Sequence, residues 1–315
     1  MRRPVQGRDF GPAWQTACIK SWKGAGFQVV SLNAPEEIEA LRPFAPAVEF
    51  KTLPAGRTRP LFADFFTAAN SSKSRIVGII NADCMMIPPI GFANRLMDHL
   101  DGIVIVERFN LSKETLRPTG VRVEGFDAFF FKAEAAATIA RDDHWHIGGV
   151  WGDYWLPFAF HFAGFEIKTL PAPILLHLEH DLAWDWSGAE SYAPRLINFF
   201  RAHGGDRLDP RLAAKLPNPG TLRPDDIYVL HDLLFDWLQS RDPLWKPEAG
   251  SADELMITVL NASAKFPQPR RHILRERERA LLRGIRALLA RVIDALGLRR
   301  MLYTLGLVKR RQISS

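Results

Sequence analysis

RIVGIINADCMMIPP, residues 75–89, places an apolar run, Ile76 to Ile80, directly before Asn81-Ala82-Asp83, with a Pro-Pro pair five residues later. The run has the length and the β-branched content of a buried strand bounded by turn residues. It delivers a carboxylate at its C-terminal end and is expected to bend from there into a helix. In open α/β sheets ligands sit at that location. Alone, the tripeptide is a weak signal, because Asn and Asp are ordinary turn residues whose side chains bond nearby backbone. Its weight comes from the pattern on either side.

Upstream, WQTACIKSWKGAG reads as a helix closed by glycine, FQVVSLN as a short buried strand, and APEEIEAL and LFADFFTAAN as helices. Downstream come a helix from PPIGFANRLMDHL, a β-branched run GIVIVERF, and VRVEGFDAFFF as one or two strands broken at Gly125. WGDYWLPFAFHFAGF reads as a helix, followed by strand-like EIKTL and PILLHL. Alternation of this kind predicts an α/β fold with a mostly parallel central sheet flanked by helices. After about residue 190 the pattern turns helical: YAPRLINFFRAHGG, DDIYVLHDLLFDWLQS and ADELMITVLNASAK are separated by Pro/Gly segments, and FPQP at 266–269 reads as a linker. The expected organisation is an α/β domain over 1–190, a helical C-terminal extension over 191–268 and a basic tail over 269–315.

The chain has 315 residues, 47% of them hydrophobic, which suits a sizeable core. Two cysteines, Cys18 and Cys84, are too few for a disulfide framework and have no metal-ligand spacing around them. The opening MRRPVQGRDFGPAW has basic residues with no apolar stretch behind them, so no signal peptide is expected. No window is apolar enough to span a bilayer. The expected location is cytoplasmic, either free or peripheral on the inner face of the membrane. The net charge of +6 is uneven: residues 270–311 hold thirteen Lys/Arg against Glu276, Glu278 and Asp294, a local +10, and the rest of the chain carries −4.

Three further stretches fit the same architecture. EGFDAFFF (124–131) puts Asp127 just after a glycine, where backbone can approach a ligand closely. GGVWGDYWLP (148–157) opens a helix with Asp153 in its first turns beside Trp151 and Trp155. PILLHLEHDLAWDW (173–186) ends a strand pattern with His177 and His180.

In this order the motifs resemble those of glycosyltransferases of the GT-A fold. The likeness is to a group whose donor-site signature is a hydrophobic strand followed by Asn-Ser/Ala-Asp rather than Asp-x-Asp. WQTACIKSW (14–22) matches the opening Gln-x-x-Ala-Ile-x-Ser-Trp helix, and GFDAFFF matches a Gly-x-Asp-x-Phe-x-Phe strand. IGGVWGDYWL is similar to Ile-Gly-x-x-x-Trp-Asp-x-Trp-Leu with one residue inserted, and LLHLEHD to Ile-His-x-x-His-Asp. The likeness covers roughly residues 10–186. It departs from the pattern twice: MRRPVQGRDF is a poor match for the strand that normally precedes the first helix, and Gly152 stands where many such enzymes carry a second acid.

The resemblance implies a nucleoside-diphosphate sugar donor, with UDP as the first expectation for its nucleotide, and a divalent cation that neutralises the diphosphate as the glycosidic bond breaks. Asp83 would anchor that cation and His177 would be a second ligand, an imidazole that favours Mn²⁺ over Mg²⁺. Asp153 would be the general base for an inverting transfer to a glycan or lipid-linked acceptor. Asn33 and Asn81 are candidates for nucleotide or ribose contacts, Arg59 for a phosphate, and Asp127 for substrate. Trp145, Trp151 and Trp155 are candidates for a face on which a sugar ring stacks. A plainer role stands beside each: Asp153 as a helix N-terminal residue favoured by the dipole, the histidines as satisfied polar residues at a strand end, the tryptophans as core, and Cys84 as a small apolar core residue. RDDHWHIGG is read as a solvated loop, since adjacent residues rarely converge on one ion.

Ile273, Leu274, Leu281, Leu282, Ile285, Leu288, Leu289, Val292, Ile293 and Leu296 fall in an arginine-rich tail. That is an amphipathic basic helix, which either lies on an anionic membrane surface or packs on the body of the protein. Its arginines lack interleaved aromatics and no nucleic-acid motif accompanies them, so no nucleic-acid partner is expected. The rival enzyme class, a nucleotidyltransferase, would carry a glycine-rich basic loop after its first strand, and none is present. Two non-enzymatic rivals are a GT-A-like protein that binds a glycan or partner at the membrane surface and a module assembled through the tail. The sugar, the base, the acceptor and the stereochemistry depend on pocket shape.

Overall fold

The computed structural model describes residues 11–89, 91–112, 118–139, 142, 144–170, 174–179 and 186–245. MRRPVQGRDF, His180, ADELMITVLNASAK, the FPQP linker and the basic tail lie outside them. In chain order the elements are α1 (Gly11–Gly24), β1 (Val30–Asn33), α2 (Pro35–Leu41), β2 (Glu49–Thr52), α3 (Phe62–Asn70), β3 (Ile76–Ile80), β4 (Cys84–Met86) and α4 (Phe92–His99). They continue with β5 (Ile103–Leu111), β6 (Pro118–Lys132), α5 (Gly152–Phe162), β7 (Ile167–Thr169), β8 (Leu175–Leu178), α6 (Trp186–His203), α7 (Pro210–Lys215) and α8 (Pro224–Gln239).

β1 and β2 pair in parallel as a separate two-stranded sheet. The main sheet has the order β3-β6-β5-β8-β4, with β7 also paired to β5. β6 runs antiparallel to both β3 and β5, β4 runs antiparallel to β8, and β7 and β8 run parallel to β5. The α/β class with helices on both faces is as expected, but the sheet is mixed rather than mostly parallel. The reason is connection length. Six residues join β5 to β6, and a parallel crossover needs a dozen or more. Likewise the chain after Asp83 does not bend straight into a helix; it first lays down β4 against β8.

That small strand has a large geometric effect. β3 and β4 stand at opposite ends of the strand order, four spacings apart, which in a flat sheet is roughly 19 Å. Yet Ile80 and Cys84 are joined by only Asn81-Ala82-Asp83, a span of at most about 14 Å. The sheet must therefore curl, bringing its far edge back toward the end of β3. Register irregularities along β5 and β6, at Val106/Glu107 and beyond, supply the bend.

Both faces of the sheet are covered, which is why Ile103–Val106 of β5 and Ala128–Phe131 of β6 read as unbroken apolar runs rather than alternating ones. On one face Ile103, Ile105, Phe129 and Phe131 pack with Phe62 and Phe66 of α3 and with α5, whose Trp155, Phe158 and Phe160 are all buried. On the other, Val104, Val106, Ala128 and Phe130 pack with Cys18 and Trp22 of α1 and Phe92 and Leu96 of α4. Leu196, Ile197 and Phe200 of α6 and Leu230, Leu234 and Phe235 of α8 belong to the first of these cores, so the helical segment after residue 190 is packed onto the sheet. Among the described residues no helix is long and apolar enough to cross a membrane.

Phe131 is fully buried in β6, with ring centroids 4.9 Å from Phe160 and 6.1 Å from Phe66. Phe131→Ala is expected to cost about 3–5 kcal/mol of stability, read as a shift in the urea midpoint; a shift corresponding to less than about 1 kcal/mol would contradict this packing.

Candidate functional site

The curl gathers a polar cluster at the C-terminal ends of β3 and β5. Asn81 follows β3 directly, and Arg108 and Asn110 stand in the last four residues of β5. On β6 the register passes from Val106↔Ala128 to Glu107↔Phe126, so Asp127 is the extra residue of a bulge. Bulges re-aim side chains next to functional sites. This one turns Asp127 inward, where its carboxylate accepts from Arg108 Nη1 at 2.6 Å and from the Asn81 side-chain amide. The Asn81 N–H also donates to the Asp127 carbonyl at 2.9 Å, fastening the end of β3 to the bulge. Asp127 is only 6% exposed. It was expected to touch substrate; with both oxygens engaged inside the protein it braces the site instead.

Arg108 is the residue that sequence reasoning missed. Burial disfavours its charge, the neighbouring Asp127 more than compensates, and its pKa ends above the usual value. Its Nε is buried without a hydrogen-bond partner. Glu107-Arg108 interrupting an apolar strand was the available signal, since charged residues are rarely buried without a partner.

Asp83 and His177 meet on the other side of Asn81. His177 sits in β8 between Cys84 of β4 and Asn110 of β5 in the ladder. Its Nε2 lies 3.4 Å from Asp83 Oδ2, and its Nδ1 donates to Asn110 Oδ1 at 2.9 Å. With Nδ1 protonated, the neutral ring carries its lone pair on Nε2, the atom toward Asp83. Fixing one ring nitrogen so that the other can coordinate is the usual support for a metal-binding imidazole. An oxygen and a nitrogen donor this close fit a divalent transition ion whose remaining positions come from phosphate and water. Among the described residues no third His, Cys, Asp or Glu joins them.

α1 holds the Asp83 loop from behind. Trp14 Nε1 donates to the Asp83 carbonyl at 2.7 Å, Trp22 Nε1 to the Cys84 carbonyl at 2.9 Å, and the Met86 N–H to Ser21 Oγ at 2.9 Å. Burial pushes the thiols of Cys18 and Cys84 well above their usual pKa, as befits core residues.

Asp153 stands in the first turn of α5. Burial, reinforced by the charge of Asp127, raises its pKa from 3.8 to about 7, against hydrogen bonds from backbone that act the other way. One is the Phe126 N–H at 3.5 Å. Gly125, at φ +143°, makes the approach possible: a Cβ there would lie 3.1 Å from Asp153 Oδ2. The second acid that the resemblance leads one to look for before Asp153 has no room. A Cβ on Gly152 would come within 2.4 Å of the His146 carbonyl and 3.3 Å of the Phe62 ring. Trp151, immediately before, takes a left-handed conformation at φ 65°, the one non-glycine residue to do so among those described. Strain of that kind collects where a structure holds a side chain for function.

The expected aromatic platform is corrected. Trp145, Trp151 and Trp155 are 1%, 3% and 0% exposed and leave no ring face for a sugar. Trp145 and Trp155 stack on each other, Trp155 also stacks on Phe62, and the Trp151 indole donates to the Ala189 carbonyl. Asn33 is buried at the end of β1, and its side-chain bonds among the described residues run to Ser31 and Glu37. Arg59 is exposed and lines a cavity with His144 and His146. Asp142 and His144 bond to each other at 2.6 Å, as suits a local turn.

No protein-family model matches the chain, and no curated protein does. Among solved structures it is similar to a mannosyltransferase, PcManGT from Pyrobaculum calidifontis in complex with GDP-Man and Mn²⁺, at 14% identity and TM-score 0.42, covering 91% of this chain and 83% of that one. It is also similar to GalNAc-T7 with UDP, GalNAc and Mn²⁺, at 11% identity and TM-score 0.38, covering 77% of this chain and 53% of that one.

The raised Asp153 pKa has a stability consequence. The folded state binds this proton more tightly than the unfolded state, so stability falls as pH rises from about 4 to about 7 and then levels. Urea midpoints of the wild type should show that component and those of Asp153→Asn should lack it; parallel pH curves for the two proteins would refute the raised pKa.

Proposed function

We propose that the chain is a glycosyltransferase that moves a sugar from a nucleoside-diphosphate donor to a glycan or glycolipid hydroxyl with inversion at the anomeric carbon. The observation that carries this is the Asp83–His177 pair, with the imidazole oriented by Asn110, at the same strand ends as a carboxylate whose pKa lies near neutrality. The order of four motifs along residues 10–186 supports it independently, and Asn81-Ala82-Asp83 is proposed as the counterpart of the Asp-x-Asp signature. A divalent cation, Mn²⁺ before Mg²⁺, held by Asp83 and His177 would offset the negative charge of the departing diphosphate.

The chain's own residues do the rest. Asp153 accepts the proton of the acceptor hydroxyl as its oxygen bonds to the anomeric carbon. The carbon–oxygen bond to the diphosphate breaks and its electron pair leaves with the phosphate. A base with a pKa of about 7 is well matched to this task near neutral pH, because it is both substantially ionised and a competent proton acceptor. Asp127 and Arg108 fix Asn81, and through it the loop that carries Asp83. The nucleotide is proposed to be UDP, with Asn81 in reach of its polar groups. For a lipid-linked acceptor, residues 270–311 are proposed to lie on the anionic membrane surface.

Calorimetric titration with UDP, GDP and CDP, with and without Mn²⁺, tests the donor site. One nucleotide should bind in a metal-dependent manner, and Asp83→Ala should abolish that binding. A folded protein that binds none of the three would sink the donor site and favour a non-catalytic glycan-binding protein. Asp153→Asn should bind the same nucleotide normally while turnover falls about 10²–10⁴-fold; retained turnover would remove Asp153 from the role of base.

A further inference from the structure

Beside the cluster lies a cavity of about 160 Å³ lined by Arg59, His144, His146, Gly148, Gly149, Val150 and Tyr192. It shares a wall with the site: a Cβ on Gly148 would stand 3.3 Å from Asn81 Oδ1. Val150 of the lining stands three residues before Asp153 in the chain. Among the described residues none that lines the cavity is acidic. Arg59 is exposed, and among the described residues its guanidinium takes part in no ion pair. His144 is backed by Asp142, which accepts from its Nδ1 at 2.6 Å. Tyr192 is 39% exposed, its ring packed 6.2 Å from Trp145, centroid to centroid.

We infer that this cavity binds an acidic sugar of the acceptor, its carboxylate or phosphate held by Arg59 and its ring set against Tyr192. The term acceptor rests on the transferase function proposed above; the acid-sugar chemistry rests on the cavity alone. Size argues for one residue of a glycan, because the space is well below the roughly 300–1,000 Å³ of pockets that enclose larger ligands. Charge argues for an acid. An Arg with no carboxylate partner among the described residues and two imidazoles favour an anion, and a neutral sugar would leave the guanidinium unused. Shape argues for a sugar rather than a bare ion, because a half-exposed aromatic ring at the rim offers the apolar surface on which a pyranose can rest. The buried tryptophans cannot serve this purpose, and Tyr192 can. Arg59, expected from the sequence to reach a donor phosphate, is thereby assigned to the acceptor instead.

The test is a set of ligand-observed NMR titrations of the full chain with glucuronate, glucose 6-phosphate and glucose at one ionic strength, in wild type, Arg59→Gln and Tyr192→Ala. At least one acid sugar should bind, and glucose should bind about tenfold more weakly or not at all. Which acid binds tells carboxylate from phosphate. Arg59→Gln should weaken the acid sugar about 10–100-fold, to the level of glucose, and Tyr192→Ala should weaken it too, while metal-dependent nucleotide binding stays unchanged in both. Arg59 and Tyr192 are both open to solvent, so both variants should fold, which circular dichroism checks. Equal binding of glucose, no binding of either acid, or acid binding that survives Arg59→Gln each overturns the inference. So does a loss of nucleotide binding in Arg59→Gln, which would return Arg59 to the diphosphate. A protein that binds acid sugars through Arg59 but no nucleotide keeps the cavity assignment and loses the transferase; one that binds nucleotide but no acid sugar does the reverse.

Discussion

A largely buried ion pair, with the Arg108 side chain 19% and that of Asp127 9% exposed, organises this protein's site. Asp127 and Arg108 lie between strands rather than on the surface, and charges taken out of water are tolerated only when well paired. The pair forms where β6 bulges at Asp127, one register step before β5 and β6 resume pairing at Glu107↔Phe126. The bulge in turn presents the Asp127 carboxylate and carbonyl to Asn81, which ties down the end of β3. From that point the chain has three residues in which to reach β4, so the sheet must curl and Asp83 must arrive beside His177. The same carboxylate adds to the burial that keeps Asp153 hard to ionise. Removing one charge of the pair would leave the other stranded inside the protein, a change that usually costs several kcal/mol.

Much of this could be read from the residues alone. The β-branched run before Asn81-Ala82-Asp83 is a strand, WQTACIKSWKGAG is a helix ended by glycine, and GIVIVERF and EIKTL are strands where periodicity and length put them. What could not be read was pairing. β2 and β4 are four and three residues long, too short to show a period, and strand direction is a matter of partners rather than of local sequence. Hence a sheet expected to be mostly parallel proved mixed. Of the candidate site, Asp83, Asp153 and His177 could be singled out as candidates because carboxylates and imidazoles at strand ends and helix starts stand out and because the motif resemblance points to them. Arg108 and Asn110 were not singled out, since their roles exist only once β6 and β8 lie beside β5.

The tryptophans show the limit of composition as a guide to function. WGDYWLP puts two indoles around a candidate acid, and both turn out to be wedged among α3, α5 and α6. Burying them gains far more apolar area than a sugar face would, and the fold uses them to hold the helix that carries Asp153. Two other indoles, Trp14 and Trp22, hold the loop that carries Asp83 by donating N–H bonds to its carbonyls. Aromatic residues thus set the positions of the polar ones on both sides of the site.

The bonds that define the cluster span long stretches of chain. Trp14 to Asp83 closes 69 residues, Trp22 to Cys84 closes 62, His177 to Asn110 closes 67 and Asn81 to Asp127 closes 46. Each such closure costs entropy before it returns any stability, and contacts of this range form slowly relative to local ones. The site is therefore a property of the finished fold and of no fragment of it. During synthesis the residues of the cluster emerge separately, from Trp14 to His177, and a nascent chain that stops before His177 lacks the imidazole that meets Asp83.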